Sequence, residues 1–414
     1  MFSYHHLGGN YKMDISKRGF KIQESPIRKL KPFADQAKER GIRVYFINIG
    51  QPDIPTPEPV WRALKEFDEK VLSYGPAQGF LELRQAVADY FNSYNISLHS
   101  ENVIITVGGS EAIHFAFSVV ADSGEEIIVP EPFYTNYNGF ASCADVNLVP
   151  LTLSVEEEFR LPSKETIEAK INPKTKAFLL NSPSNPTGTV YTPEELDRIV
   201  DLALEHDLFI ISDEVYKEFV YDGATHKSIL EYDEVQDRTI VVDSISKRFS
   251  CCGARIGAVI TRNEEVYQSL LKFAQARLCP PTVEQKMALA AYRMGRDYFH
   301  PIREEYQRRR DVLYDGLKDI PGVVMHKPQG AFYIIVKLPI NDSEHFVRWM
   351  LTDFQLDNET VMVAPAQGFY STPGRGMDEV RIAYVLKEQD LEKAIGVFKT
   401  GLKEYGLGNR FTDR

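Results

Sequence analysis

The sequence predicts an α/β fold: a large unit whose mostly parallel central sheet is sandwiched by helices, plus a smaller α+β unit. Three observations lead there. Short apolar runs alternate with helical stretches from Val103 to Ile260, the rhythm of repeated strand–helix–strand units. After Leu317 that alternation gives way to mixed strands and helices. A chain of 414 residues also has room for two or three folding units of roughly 150 residues each.

Taken in order, residues 1–25 read as a loose arm, with Gly8-Gly9-Asn10 and scattered charges. Ile27, Leu30, Phe33, Ala34 and Ala37 keep helical spacing up to Gly41, and Val44–Ile49 reads as a strand. Gly50-Gln51-Pro52-Asp53 and the Pro-rich stretch to Pro59 form a linker. Helices are expected from Glu58 to about Lys70 and from Phe80 to about Tyr94. The strands that follow are Val103–Val107, Glu126–Val129, Val146–Val149, Ala177–Leu180, Phe209–Ser212, Thr239–Val242 and Ile256–Ile260. Their apolar runs suit strands buried on both faces. Helices near Ser110–Ala121, Pro193–Glu205 and Asn263–Gln275 lie between them. A long helix from about Tyr298 to Leu317 puts Arg308-Arg309-Arg310 on a solvated face. The smaller unit then takes strands near Val323 and at Ala331–Lys337, Thr360–Val363 and Val380–Tyr384, with helices Ser343–Leu351 and Gln389–Glu404.

Composition removes several function classes. Net charge is 48 − 59 = −11 and is spread along the chain, which argues against nucleic acid and anionic membrane as partners. Met1–Lys12 has no apolar signal-peptide core, and no apolar run approaches the ~20 residues of a membrane span. Cys143, Cys251, Cys252 and Cys279 form no C-x-x-C pattern, and the nine His residues show no zinc-like spacing. No metal is expected, and a reduced, cytoplasmic setting is the simplest reading.

In an open α/β sheet, ligands sit beyond the carboxyl ends of the strands. Unusual residues gather at several such ends. Gly108-Gly109-Ser110 joins a strand to a helix start, where free N–H groups and a hydroxyl suit a phosphate; a plain turn capped by Ser110 is the alternative. Asn181 to Gly188 is a proline-pinned loop that presents Asn185. Asp213 stands where another strand ends, either as a helix cap or as the partner of a buried cation, and Tyr216 follows it. Lys247 ends a further strand within Ser244-Ile245-Ser246-Lys247; burial there lowers an amine's pKa and makes it nucleophilic toward a carbonyl. Arg255, eight residues on, offers a guanidinium suited to phosphate. Alone, Lys247 and Arg255 read more readily as ordinary surface cations in a loop. Together these groups are an inventory for an aromatic aldehyde phosphate with a protonatable ring nitrogen.

At this point the chain resembles the class I, fold-type I, pyridoxal-phosphate aminotransferases of the aspartate aminotransferase superfamily. The resemblance runs from about Ile27 to Gly401. Its most specific stretch is S-x-S-K-x-F-S-x-x-G-x-R-x-G at Ser244–Gly257, joined by N-x-G-Q-P-D at Asn48–Asp53, Y-G-P-A-x-G at Tyr74–Gly79, V-G-G-S-E-A at Val107–Ala112, N-x-P-x-N-P-T-G at Asn181–Gly188, D-E-V-Y at Asp213–Tyr216, P-x-G-A-F-Y at Pro328–Tyr333 and V-R-I-A-Y at Val380–Tyr384. It implies a small domain of residues 26–55 with 303–414, a large cofactor-binding domain of residues 56–302, and a homodimer with active sites at the subunit interface. It implies that Lys247 joins the aldehyde of pyridoxal 5'-phosphate and later carries a proton. Asp213 is implied to pair with the ring nitrogen, and Asn185 and Tyr216 to hold the ring oxygen. Tyr134 is implied to stack on the ring, with Phe133 the neighbour open to confusion with it. Gly109, Ser110, Ser244, Ser246 and Arg255 are the implied phosphate ligands, with Tyr74 from a second subunit. Arg381 is implied to clamp the substrate carboxylate beside Asn185 and the Gly50 backbone.

The implied reaction moves an amino group between an L-amino acid, aspartate-like by preference, and a 2-oxo acid such as 2-oxoglutarate. Dicarboxylate selectivity needs a second cation, for which the resemblance offers Arg277, in a segment that often reaches the neighbouring active site, and, more weakly, Arg28 in Ser25-Pro26-Ile27-Arg28, which resembles the family's substrate-proximal N-terminal segment; the helix dipole alone favours Arg277 as a plain helix-end cation. A β-eliminating C–S lyase on the same scaffold is the alternative enzyme. A pyridoxal-phosphate-binding regulator is disfavoured, because no helix-turn-helix or basic patch precedes the match.

Overall fold

The computed structural model describes residues 15–409. Its strands are β1 (Arg43–Phe46), β2 (Val103–Thr106), β3 (Glu126–Glu131), β4 (Asn147–Thr152), β5 (Thr175–Asn181), β6 (Phe209–Asp213), β7 (Thr239–Ser244), β8 (Gly257–Ile260), β9 (Val324–Met325), β10 (Tyr333–Lys337), β11 (Glu359–Met362), β12 (Ala364–Pro365) and β13 (Glu379–Ala383). Seven of them form one sheet in the order β2-β8-β7-β6-β5-β3-β4. All neighbours pair parallel except at β8, which runs against both β2 and β7. β2 therefore points the same way as β7. The carboxyl ends of β2, β5, β6 and β7 share one edge with the amino end of β8.

Successive residues of each strand feed two different cores. Val103, Ile105, Phe178, Leu180, Ile210 and Val241 pack on one face, and Ile104, Leu179, Ile211, Ile240 and Val242 on the other. This is the two-residue period of a sheet covered on both sides, and it is why these strands read as unbroken apolar runs. A third core belongs to the smaller unit. There β12-β13-β10-β9 form an antiparallel sheet and β1 pairs parallel with β11. Tyr216, Phe219 and Tyr221, from the segment just after β6, enter this third core. The strand end that carries Asp213 thus leads straight into the smaller unit. No helix among the described residues is long and apolar enough to cross a membrane.

Some local expectations are corrected. The helix expected to reach Lys70 is Glu58–Lys65, since Glu66, Asp68 and Glu69 would put negative charge on the negative end of its dipole. Arg309 and Arg310 are not solvated; they are 3% and 1% exposed. Arg309 donates to Asp53 at 2.6 Å and to Glu305 at 2.8 Å, and Arg310 donates to the Pro328 carbonyl at 2.9 Å and to Asp222 at 3.0 Å. Carboxylates and a carbonyl, most of them distant in sequence, draw them inward. The helix Thr282–Tyr292 was not expected. It packs against the helices Glu58–Lys65 and Leu81–Asn92, so its apolar residues face two ways and blur the 3.6-residue period. Within the expected arm, Lys17–Lys21 is a short helix capped by Ser16; residues 1–14 of that arm lie outside the described residues.

Arg248 and Asp243 form an ion pair with both side chains fully buried. Removing one partner of such a pair strands a charge, at a cost of about 3–5 kcal/mol. Arg248→Met is expected to lower the unfolding free energy in urea by that amount. A loss below about 1 kcal/mol, the size of an exposed pair, would contradict this packing.

Candidate active site

The shared strand edge opens into a cavity of about 560 Å³. Gly50, Gly109, Ser110, Tyr134, Asn185, Asp213, Tyr216, Ser244, Ser246, Lys247, Arg255 and Arg381 all line it. The topology explains the convergence. Gly109 and Ser110 follow β2, Asn185 follows β5, Asp213 ends β6, Ser244 ends β7, and Arg255 precedes β8.

The phosphate-suited end is built from three segments. The helix Gly108–Val120 begins at the glycine pair, with Val107 rather than Ser110 at the cap position, so Ser110 lies in the first turn. Gly108 has φ +73°, and a Cβ there would meet the Arg255 guanidinium at 2.4 Å. Ser244 Oγ accepts the Ser246 N–H at 3.1 Å and lies 2.8 Å from Ser246 Oγ, pinning the short helix Ile245–Arg248 that carries Lys247. Arg255 donates to the Cys252 carbonyl at 3.0 Å, and no carboxylate among the described residues pairs with it.

At the other end, Asp213 is buried without an ion pair among the described residues. The Tyr137 hydroxyl donates to its Oδ2 at 2.6 Å. Asn181 donates to the Asp213 carbonyl at 2.9 Å and accepts the Asn185 N–H at 2.7 Å, joining the ends of β5 and β6. Lys247 Nζ donates to the Gly50 carbonyl at 2.9 Å. Burial pulls its pKa down, but Tyr333, Cys252 and Tyr134 outweigh this and hold it above the usual lysine value, so the expected lowering is absent from the cofactor-free side chain. Arg381 is 2% exposed. It donates to Asn185 Oδ1 at 3.0 Å and to the Asn48 carbonyl at 2.5 Å, while its Nε has no partner.

Arg277 and Tyr74, both expected to act in the active site of a second subunit, do not line the cavity of their own chain. Arg277 donates to Glu111 at 3.0 Å and to the Ala77 carbonyl at 2.9 Å. Its charge is used where the helix Glu264–Arg277 meets the helix Gly108–Val120. Tyr74 is 82% exposed and does not line the cavity of its own chain. Of the neighbours Phe133 and Tyr134, Phe133 is buried in the sheet's core and Tyr134 faces the cavity. Arg28 also lines the cavity.

Sequence reasoning missed Tyr137, Tyr333, Cys252, Ile49, Ile113 and Phe140, whereas Ile27 lies in the Ser25–Arg28 segment expected near the substrate and does line the cavity. Helical spacing could have found two of them: Tyr137 follows Tyr134, and Ile113 follows Ser110, each by three residues.

The donor set fits pyridoxal phosphate: hydroxyls, helix-start N–H groups and an arginine without a carboxylate partner among the described residues at one end, an amine between, and at the other a buried carboxylate with no cation paired to it among those residues.

Burial pushes the Asp213 carboxyl up to about 6, with the Tyr137 hydroxyl and the Val215 N–H opposing it. A native-state value above the unfolded one means the folded protein holds this proton longer. Stability from this group therefore falls as pH rises from about 4 to about 6, by about 3 kcal/mol in all. Cofactor-free Asp213→Asn is expected to be more stable than the parent near pH 7, with the gap closing as pH falls toward 4. A pH-independent gap in urea unfolding would contradict this.

Comparison with known proteins agrees with the geometry. The family profile described as "Aminotransferase class I and II" matches residues 45–398. Aromatic-amino-acid aminotransferase 2 of Thermococcus litoralis is 35% identical over 95% of this chain and 100% of its own length. Aspartate aminotransferase of Bacillus subtilis is 30% identical over 95% of this chain and 100% of its own. The structure of a single mutant of Thermus thermophilus aspartate aminotransferase superposes with TM-score 0.85 at 30% identity, over 94% of this chain and 100% of that one. The chain belongs to the class I and II aminotransferases, enzymes that use pyridoxal 5'-phosphate to move amino groups between amino acids and 2-oxo acids.

Proposed function

We propose that Lys247 is the catalytic residue and that the cavity around it holds cofactor and substrate as follows. Arg255, Ser110, Ser244, Ser246 and the Gly109 N–H take the phosphate, where fixed donors meet a dianion without reorganising. Asp213 holds the ring N–H, which gives its buried carboxylate the cationic partner it lacks. Asn185 and Tyr216 hold the ring oxygen, and Tyr134 lies against the ring face. When bound, the cofactor supplies an aldehyde for an amine and a sink for the electrons left at Cα. Lys247 Nζ is the base that takes the substrate's Cα proton, and the acid that returns one in the reverse half-reaction. Arg381 fixes the α-carboxylate, with its unpartnered Nε as a free donor, so that the Cα–H bond faces Lys247. The observation that carries this reading is the gathering of all these groups at one strand edge.

The substrate side chain meets Ile27, Ile49, Ile113 and Phe140, with Arg28 the cation on that side. The aspartate-like expectation rested on the overall likeness to the prokaryotic aspartate aminotransferase-like branch, with Arg277 and Arg28 as candidate side-chain cations; in its own chain Arg277 pairs with Glu111. We therefore assign a large apolar amino acid as one substrate, with glutamate and 2-oxoglutarate as the other pair and Arg28 available to the second carboxylate. The name of the Thermococcus relative supports the apolar choice; the Bacillus and Thermus names support aspartate.

A homodimer is supported by the exposed apolar side chains of Trp61, Leu64, Val71, Leu72 and Tyr74, a contiguous chain segment that a second copy would cover. Tyr74 would then reach the partner's site. Two domains, 26–55 with 303–414 and 56–302, are supported by the separate third core. A cytoplasmic setting is supported by four unpaired cysteines.

Each amino acid mixed with the aldehyde form, and followed by cofactor absorbance, tests the substrate reading. Phe, Leu and Met are expected to react faster than Asp, and Arg28→Ala to slow Glu by about 10-fold, the size of one charge-assisted hydrogen bond, while sparing Phe. Asp reacting fastest would contradict the apolar assignment. Pyruvate and ammonia from cystathionine without any oxo acid would replace transamination by the lyase reading.

A further inference from the structure

Tyr333 opens β10 and touches three parts of the site at once. In the β10–β13 pairing, Tyr333 lies opposite Ala383 and Ile335 opposite Arg381. Tyr333 and Arg381 are therefore diagonal neighbours on one face, within reach of an aromatic ring and a long side chain. The Arg381 guanidinium stands 4.6 Å from the Tyr333 ring centroid, a cation–π contact in a buried setting. The Tyr333 hydroxyl lies 3.0 Å from the Tyr216 hydroxyl and 3.5 Å from the Gly50 carbonyl. That same carbonyl accepts Lys247 Nζ at 2.9 Å. Any side chain at position 50 would collide with this arrangement, since a Cβ there would fall 1.8 Å from the Tyr333 hydroxyl oxygen.

A phenol has one proton to give. Tyr333 donates either to Gly50 or to Tyr216. If it donates to Gly50, Tyr216 spends its own proton on Tyr333. If it donates to Tyr216, the Tyr216 proton is free to face the cavity. The Gly50 carbonyl has two lone pairs, but donation by the Lys247 ammonium makes it a poorer acceptor for Tyr333, so the second arrangement is favoured while Lys247 rests there and the first gains when Lys247 leaves. We propose that Tyr333 is a positioning residue that couples the resting place of Lys247 to the hydrogen-bonding state of Tyr216, while its ring holds Arg381 in place. This rests on the roles assigned above to Lys247, Tyr216 and Arg381.

Two variants separate the hydroxyl from the ring. Tyr333→Phe keeps the ring under Arg381 and removes the relay; Tyr333→Leu removes both. The readouts are the pH midpoint of the bound cofactor's absorbance, the affinity of the cofactor-free protein for pyridoxal phosphate, and kcat and KM. Tyr333→Phe is expected to move the absorbance midpoint by roughly half to one pH unit, the size of one neutral hydrogen bond, to weaken cofactor affinity by about 5-fold, and to lower kcat with KM held within about 2-fold. Tyr333→Leu is expected to raise KM by about 5-fold or more as well. An unmoved midpoint with unchanged cofactor affinity in Tyr333→Phe would overturn the relay, and equal KM increases in both variants would overturn the division of labour. Failure of the underlying site reading looks different: the parent protein itself would not bind pyridoxal phosphate.

Discussion

A carboxylate buried without a cation is costly, and the architecture of this protein is arranged around one. Asp213 sits at the carboxyl end of a central parallel strand, where one hydroxyl and one N–H do not cancel its desolvation. The other groups follow from the sheet. Because β8 alone is reversed, the ends of β2, β5, β6 and β7 and the start of β8 meet at one edge. A phosphate-suited helix start, an amide, an amine and an arginine are delivered there from distant parts of the chain.

The smaller unit completes the site. Tyr216, Phe219 and Tyr221 leave β6 and enter its core at once, so Asp213 is held at the seam of two packed bodies. Arg381 reaches the seam from β13, and the Asn48–Gly50 segment from the end of β1. Asp53, just beyond, is tied down by buried Arg309. Arg381 and the Gly50 carbonyl that accepts Lys247 Nζ are thus placed by the smaller unit, and Gly109, Ser110, Asp213, Ser244 and Arg255 by the seven-stranded sheet.

Much of this was legible in the sequence, for a physical reason. Residues at strand ends keep their local context: an apolar run stops, a small or polar residue follows, and its position at the sheet edge is fixed. Lys247, Asp213, Asn185, Ser244 and the Gly108–Ser110 turn were found that way. The illegible residues depend on partners far along the chain. Arg277 reads as a free cation until Glu111 is placed beside it. Arg309 and Arg310 read as a solvated run until Asp53, Asp222 and Pro328 arrive. Tyr333 closes the Pro328–Tyr333 motif without a role assigned to it and Tyr137 carries no signal beyond its spacing from Tyr134; only tertiary packing aims their hydroxyls at Gly50, Tyr216 and Asp213. The pKa of Lys247 was misjudged similarly, because burial was visible but the ring of phenols and a thiol was not.

The central claim is that Lys247 is the amine that receives the cofactor. The chain contains a rival: Lys217 is also buried, and desolvation holds its pKa well below the usual lysine value. Pyridoxal phosphate added to the protein, borohydride reduction, digestion and mass mapping would decide between them. The account predicts a single pyridoxyl group on the peptide carrying Lys247. A label on Lys217, or on any other lysine with Lys247 unmodified, would contradict it.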